Sequence, residues 1–302
     1  MDHDHATARA IDRRRLRWVL LVSVVVIVVE VVGAVVSDSL ALLADAGHVV
    51  TDAAAVVVAL AASHMAARPA TDRRTFGLHR AEILAALLNA VVLLGVCGYL
   101  AFEGVRRLVH PADVQPGTML AFAAVALVAN AGAVLLLRGR SESLNMRAAY
   151  LEVLTDLVGS VLVVGAAAVI LAGGPTRIDA VVSLVIAALI LPRAYSITRD
   201  AVDVLLETTP SHLDLDNVRD HLLGVAGVVD VHDLHAWTIT NGLPVLSAHV
   251  AVTDDVLASR GVGPLLDEFS HCVADHFDVE HVTFQIEPAG HREHEDLGDA
   301  HA

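Results

Sequence analysis

The sequence predicts an α-helical membrane protein, in which a six-helix transmembrane bundle precedes a small cytoplasmic α/β domain. The 302 residues are 55% hydrophobic and 18% charged, with a mean hydropathy of +0.62, which is too apolar for an ordinary soluble domain. Six apolar segments before residue 207 reach the length of about 20 residues that a bilayer-spanning helix needs. The residues after 206 carry the whole net charge of −15, which makes a nucleic-acid partner for this region implausible.

The predicted spans are separated by short loops. They cover residues 16–36, 40–66, 82–105, 117–137, 148–173 and 178–205 within a transmembrane domain of residues 16–206. The first span is not predicted to be a cleaved signal peptide, because an acidic, His-bearing segment precedes it and Glu30 interrupts it. Residues 1–15 are accordingly predicted to be an N-terminal tail that contains histidine and arginine.

Arginines are distributed unevenly among the loops. They cluster before the first span, between the second and third, and between the fourth and fifth, whereas the alternate loops hold only Arg106, Arg107 and Arg177. The positive-inside rule therefore places both termini in the cytoplasm. All 20 basic residues are arginines, which suggests the codon bias of a GC-rich bacterium and a location in its plasma membrane.

The predicted cytoplasmic domain, residues 207–289, has a ferredoxin-like α-β-β-α-β pattern. A turn at Asn241-Gly242 joins the first two strands, and this dipeptide is a strong hairpin signal. The predicted elements are a helix at 214–223, strands at 228–240 and 243–253, a helix at 264–277 and a strand at 281–287. Residues 290–302 are predicted to be a disordered tail rich in histidine and acidic residues.

Two of the apolar spans contain paired ionisable residues. His48 and Asp52 lie four apart in the second span, as do Glu152 and Asp156 in the fifth, so each pair shares one helical face. Each such residue costs about 2.5–3.5 kcal/mol at bilayer depth and needs compensation. If the faces meet, one imidazole and three carboxylates form a ligand set for a divalent transition metal. A salt-bridge network is the alternative, but the second span contains no arginine and the fifth has one only at its boundary, Arg147.

Other polar residues in the spans have simpler interpretations. Asp45 lies three residues before His48 and leans toward the same face, where it is an accessory candidate as a spare ligand, a proton acceptor or an entry group. Glu30, Asn89 and Asn130 are single polar residues, for which hydrogen bonds between helices are expected.

Three stretches resemble the cation diffusion facilitator family of divalent-metal/proton antiporters. They are SDSLALLADAGHVVTD at 37–52, GLHRAE at 77–82 leading to Asn89, and LNMRAAYL at 144–151. The similarity covers nearly the whole chain and is strongest to the zinc-, cadmium- and cobalt-exporting subgroup. It implies a homodimer in a lipid bilayer, no prosthetic group, and a cytoplasmic domain that binds metal, for which the matching positions carry His232, His249 and Glu287.

One position departs from the family pattern. Zinc-preferring members usually have histidine where this chain has Glu152. A carboxylate makes the site harder and more anionic, which favours Mn²⁺ or Fe²⁺, although zinc also accepts carboxylate ligands.

The expected function is export of a divalent cation, most simply Zn²⁺, by alternating access driven by protons, without enzymatic activity. Two other classes stay open at this stage. One is a metal sensor that moves no ions, and the other is a membrane metallohydrolase, which lacks a His-Glu-x-x-His frame in this sequence.

Overall fold

Helices that could cross a membrane make up the first two thirds of the chain. The computed structural model describes residues 2–138, 144–279 and 281–291, with side chains from residue 19 onward apart from 144–146 and 148. Six helices in this described part are long and apolar enough to span a bilayer, as predicted. They are α1 (Asp2–Ser37), α2 (Leu40–Ala66), α3 (Arg80–Val109), α4 (Pro116–Leu137), α5 (Leu144–Leu171) and α6 (Arg177–Leu205).

The N-terminal segment of the chain is part of helix α1. Helix α1 begins at Asp2 instead of at residue 16, although its apolar, membrane-length portion is Val19–Ser37. Most of the predicted disordered tail, residues 292–302, lies outside the described residues, as do the side chains of the N-terminal His/Asp tract.

The chain divides into two compact units, and the first contains residues up to 58 together with 88–198. Its core is rich in alanine, including Ala41, Ala123 and Ala167, whereas many of its large aliphatic side chains are exposed. Small residues let membrane helices approach closely, and apolar side chains facing outward match a lipid solvent. In this unit, α4 packs against both α1 and α5.

A buried carboxylate on α6 caps the start of α2. Asp179 accepts hydrogen bonds from the Ser39 hydroxyl at 2.6 Å and from the backbone amides of Leu40 at 2.7 Å and Ala41 at 3.1 Å. Ser39 Oγ in turn accepts from the amide of Leu42 at 3.1 Å. These amides belong to the first helical turn, which has no partners within its own helix. The contacts fix where α2 begins, and with it the position of the ionisable residues one to three turns further on.

The second unit contains residues 59–87 and the chain from residue 199 onward. Its C-terminal part follows the predicted order of elements, with one short helix that was not predicted, α8. The elements are α7 (Leu215–Leu223), β1 (Val228–Thr238), β2 (Pro244–Val252), α8 (Asp254–Arg260), α9 (Val262–Phe277) and β3 (His281–Pro288).

The strands form a sheet of order β1-β2-β3 within the described residues. Strands β1 and β2 are antiparallel and joined by the predicted turn, where Gly242 has a φ of +77° that suits glycine. Strand β3 runs parallel to β2. Helices α7 and α9 pack on the sheet around Leu222, Leu265 and Phe269, all of which are fully buried. The predicted fold class is therefore confirmed.

Candidate metal sites

The ionisable pairs of α2 and α5 face each other in the first unit. Donor atoms of His48, Asp52 and Glu152 all lie within 4.8 Å of one another. His48 Nδ1 lies 3.4 Å from Asp52 Oδ2, and His48 Nε2 lies 4.0 Å from Asp156 Oδ1. The structure therefore brings together the four side chains that the i, i+4 spacing placed on the two helix faces.

Several donor atoms of this cluster are buried and have no hydrogen-bond partner among the described residues. His48 and Asp156 are buried, with side chains 5% and 9% exposed. Both ring nitrogens of His48 and Oδ2 of Asp52 are shielded from solvent, and in the described part of the chain they make no hydrogen bond. Buried polar atoms normally have partners, so donor atoms directed at one another without hydrogen bonds suit a cation between them.

An arginine on α6, which was not predicted to belong to the site, contacts this cluster. Arg193 Nη1 lies 3.0 and 3.1 Å from the two oxygens of Glu152 and 3.7 Å from Asp52 Oδ2. No ion pair was expected here because α2 and α5 supply no arginine at the cluster; this expectation is wrong, since a third helix supplies one. The available signal was an arginine within an otherwise apolar span, since such a residue is costly unless it is paired.

Asp45 lies in a separate polar chain beside the cluster. The Ser160 hydroxyl on α5 donates to Asp45 Oδ2 at 3.4 Å, and Asn130 Nδ2 on α4 donates to Ser160 Oγ at 3.0 Å. Glu30, which is fully buried, has Asp45 as its neighbour. The hydrogen bond between helices that was expected for Asn130 is confirmed, and it joins α4 to α5. Asp45 is thus tied to neighbouring helices and stays an accessory candidate.

A second group of metal-binding side chains lies in the C-terminal sheet. Strand register pairs His232 of β1 with His249 of β2, and donor atoms of these two residues and Glu287 of β3 lie within 4.8 Å of one another. His249 Nδ1 is 2.9 Å from Glu287 Oε1, and His232 Nε2 is 3.6 Å from Glu287 Oε2. Three strands thus bring together residues that are 17 and 38 positions apart in the sequence.

Neighbouring carboxylates surround the two histidines of this sheet cluster. His232 Nδ1 lies 3.1 Å from Asp230 Oδ2, and His249 Nε2 lies 3.6 Å from Asp233 Oδ2. Asp233 sits at an irregularity of β1 with a φ of +47°, and its other oxygen is 2.8 Å from His235 Nε2. A carboxylate on the second ring nitrogen orients an imidazole and makes it a better metal ligand.

Comparison with known proteins identifies the chain. Residues 16–206 match the cation efflux transmembrane domain, and residues 210–289 match the cytoplasmic domain of cation efflux proteins. The chain belongs to the cation efflux family. This member of the family is therefore a multi-pass membrane transporter and not an enzyme, so the metallohydrolase alternative is wrong.

Relatives of this cation efflux protein carry names that refer to metals. The chain is 40% identical over 233 residues to the metal cation efflux system protein CzcD of Cupriavidus metallidurans, covering 77% of this chain and 73% of the relative. It is 36% identical over 237 residues to the cadmium, cobalt and zinc/H(+)-K(+) antiporter of Bacillus subtilis, with 78% and 76% covered. Identity to the zinc transporter ZitB of Pectobacterium atrosepticum is 36% over 290 residues, with 95% and 89% covered. The predicted resemblance to the zinc, cadmium and cobalt subgroup is confirmed.

Proposed function

We propose that this cation efflux protein exports Zn²⁺ from the cytoplasm in exchange for protons, with Cd²⁺ and Co²⁺ as further substrates. The observation that carries the proposal is the convergence of His48, Asp52, Glu152 and Asp156 between α2 and α5. One imidazole with carboxylates is a set that accepts zinc. The names of the relatives refer to zinc, cadmium and cobalt, so selectivity for Mn²⁺ or Fe²⁺ is not favoured.

Charge explains why protons and metal exchange at such a site. Three carboxylates close together in a membrane protein repel one another when all are ionised, and either a dication or bound protons relieves that repulsion. Metal binding requires deprotonated ligands, and arriving protons release the metal again. A bundle that opens this site to one membrane face at a time couples inward proton flow to outward metal flow.

The remaining features of the proposal follow from the sequence pattern. The arginine distribution supports a plasma-membrane protein with both termini in the cytoplasm. The match of residues 210–289 to the family's cytoplasmic domain supports a homodimer. Within that domain His232, His249 and Glu287 are proposed to bind metal without forming part of the transport path, and no prosthetic group is required.

Reconstituted protein tests the proposal directly. We expect wild-type protein in liposomes with an acidic lumen to accumulate Zn²⁺, and collapse of the pH gradient to slow this uptake. Asp156→Ala removes one ligand and is expected to lower the initial rate by at least about tenfold. Asp113→Ala, which removes an exposed carboxylate outside the site, serves as the matched control.

Two results would contradict the proposed function. Equal rates for Asp156→Ala and Asp113→Ala exclude the α2–α5 cluster as the transport site. An absence of uptake by wild-type protein in vesicles that retain their pH gradient favours the alternative of a metal sensor that moves no ions.

A further inference from the structure

An ion pair joins Arg193 of α6 to Glu152, the carboxylate that stands where histidine was expected from the sequence. Arg193 follows Pro192 in the interior of α6, far from either end of that helix. Its Nη1 contacts both carboxylate oxygens of Glu152, at 3.0 and 3.1 Å. An arginine in an apolar span is costly unless its charge is compensated, and here the partner is a carboxylate of the proposed transport site.

The net charge of the site depends on whether this arginine is counted. With His48 neutral, Asp52, Glu152 and Asp156 supply three negative charges. The guanidinium of Arg193 is permanently positive and reduces the total to two. A site with histidine in place of Glu152, and no arginine, would also carry two negative charges. The Glu152–Arg193 pair therefore contributes the same net charge as one neutral imidazole.

We propose that Arg193 is a specificity-determining residue of the transport site, where it neutralises Glu152 and so preserves the selectivity for zinc that the carboxylate alone would weaken. This inference deepens the proposed function and rests on it. The arginine lowers the net negative charge that the arriving cation meets. A less anionic site is better suited to zinc, and a harder, more anionic site is better suited to Mn²⁺.

The geometry supports a flanking counter-charge, not a side chain that fills the place of the metal. The Arg193 side chain is 48% exposed, whereas those of His48 and Asp156 are 5% and 9% exposed. Arg193 is also closer to Glu152 than to Asp52, at 3.0 against 3.7 Å. It therefore lies at the outer side of the cluster and leaves the buried donor atoms of His48 and Asp156 to the cation. Each Glu152 oxygen has a second lone pair, so a contact with Arg193 does not exclude a contact with metal.

Four proteins form the test: wild type, Arg193→Gln, Glu152→His and Glu152→His/Arg193→Gln. Affinities for Zn²⁺ and Mn²⁺ are measured by titration of the purified full-length chain carrying His232→Ala/His249→Ala, which removes the sheet cluster. Initial rates for both ions are measured in proteoliposomes. Arg193→Gln leaves three uncompensated negative charges, so we expect the ratio of Zn²⁺ to Mn²⁺ transport to fall by at least about tenfold. Arg199→Gln is the matched control, since Arg199 lies on the same helix in an exposed pair with Asp203.

The two variants with Glu152→His test whether Glu152 and Arg193 act as a pair. Glu152→His alone leaves the positive charge of Arg193 without the Glu152 carboxylate, beside the metal. Zn²⁺ affinity is therefore expected to fall by about tenfold or more. The double variant restores the two negative charges and is expected to return within about threefold of wild type. Comparison of Glu152→His with the double variant therefore tests the proposal even if Arg193→Gln alone does not fold.

Two results overturn the role of Arg193. One is a double variant no better than Glu152→His, and the other is Arg193→Gln with the ion preference of Arg199→Gln. Asp156→Ala separates this failure from failure of the proposed function. If Asp156→Ala transports zinc normally, the transport site itself is wrong; if it is inactive while either overturning result holds, only the role of Arg193 is wrong.

Discussion

A glycine on α5 makes room for the Asp45 carboxylate. A methyl group added at Gly159 would overlap Asp45 Oδ1, and Asp45 is almost fully buried, so it has little space to move. We expect Gly159→Ala to displace Asp45 from Ser160 and to lower the free energy of unfolding by about 1–3 kcal/mol, as overpacked cores do. Thermal unfolding of the purified protein and zinc flux in liposomes measure the two effects.

Gly165 provides the control on the same helix. A methyl group there meets no atom within 4 Å, and replacing a helical glycine with alanine otherwise stabilises a helix by about 0.5–1 kcal/mol. Gly165→Ala is expected to be neutral or stabilising. If both variants unfold alike, the close approach of α5 to Asp45 is not what requires glycine at position 159.

Cys272 on α9 carries a partly buried thiol. Burial, followed by the negative charges of Glu268 and Asp275, raises the pKa of this thiol. A raised pKa means less thiolate at a given pH, and the thiolate is the reactive form. In a Cys97→Ser background, Cys272 should therefore react slowly with a maleimide at pH 7.5, and Asp275→Asn should increase the rate by about twofold to fivefold.

Asp267→Asn is the control for that labelling experiment. It removes the same charge from the same helix at a position that does not contribute to the raised pKa of Cys272. Equal acceleration by the two substitutions would mean that net charge, and not the local field of Asp275, governs the reactivity.

The α6 carboxylate that caps α2 holds the start of the helix that carries His48 and Asp52. Asp179 is 1% exposed and accepts from three donors at the first turn of α2. Asp179→Ala leaves those donors buried without partners, so we expect a loss of about 1–3 kcal/mol in stability and a lower midpoint of thermal unfolding. Asp179→Asn keeps one acceptor oxygen and should lose less. Unfolding of Asp179→Ala at the same midpoint as Asp113→Ala would contradict this account.

The helices were predictable because their signal is local. Apolar runs of membrane length identify the spans within a few residues, and the Asn241-Gly242 turn identifies the hairpin. Helix α8 was missed because a seven-residue helix between Thr253 and Gly261 has no room for a repeating apolar pattern. Arg193 was missed for a different reason: helix spacing shows which residues share a face, but not which third helix supplies the partner of Glu152.

The α2–α5 cluster and the sheet cluster, which are both proposed to bind metal, belong to different compact units of the chain. His48 and Asp52 lie in the unit of apolar helices, and His232 and His249 lie in the unit that contains the acidic C-terminal domain. Residues 1–206 are neutral overall, so the net charge of −15 arises entirely in residues 207–302. An acidic surface raises the local concentration of divalent cations, which favours metal binding by the sheet cluster.

This separation predicts two independent classes of bound zinc in the full-length chain. After equilibration with Zn²⁺ and removal of free metal, elemental analysis should show that Asp156→Ala and His232→Ala/His249→Ala each lose about one zinc per chain, and that their combination loses about two. His232→Ala/His249→Ala should retain proton-driven flux, because its residues lie outside the α2–α5 cluster. His212→Ala, an exposed histidine of the same domain, is the control. If the His232→Ala/His249→Ala protein binds as much zinc as this control, the sheet cluster holds no metal, and its carboxylate–histidine contacts only hold the three strands together.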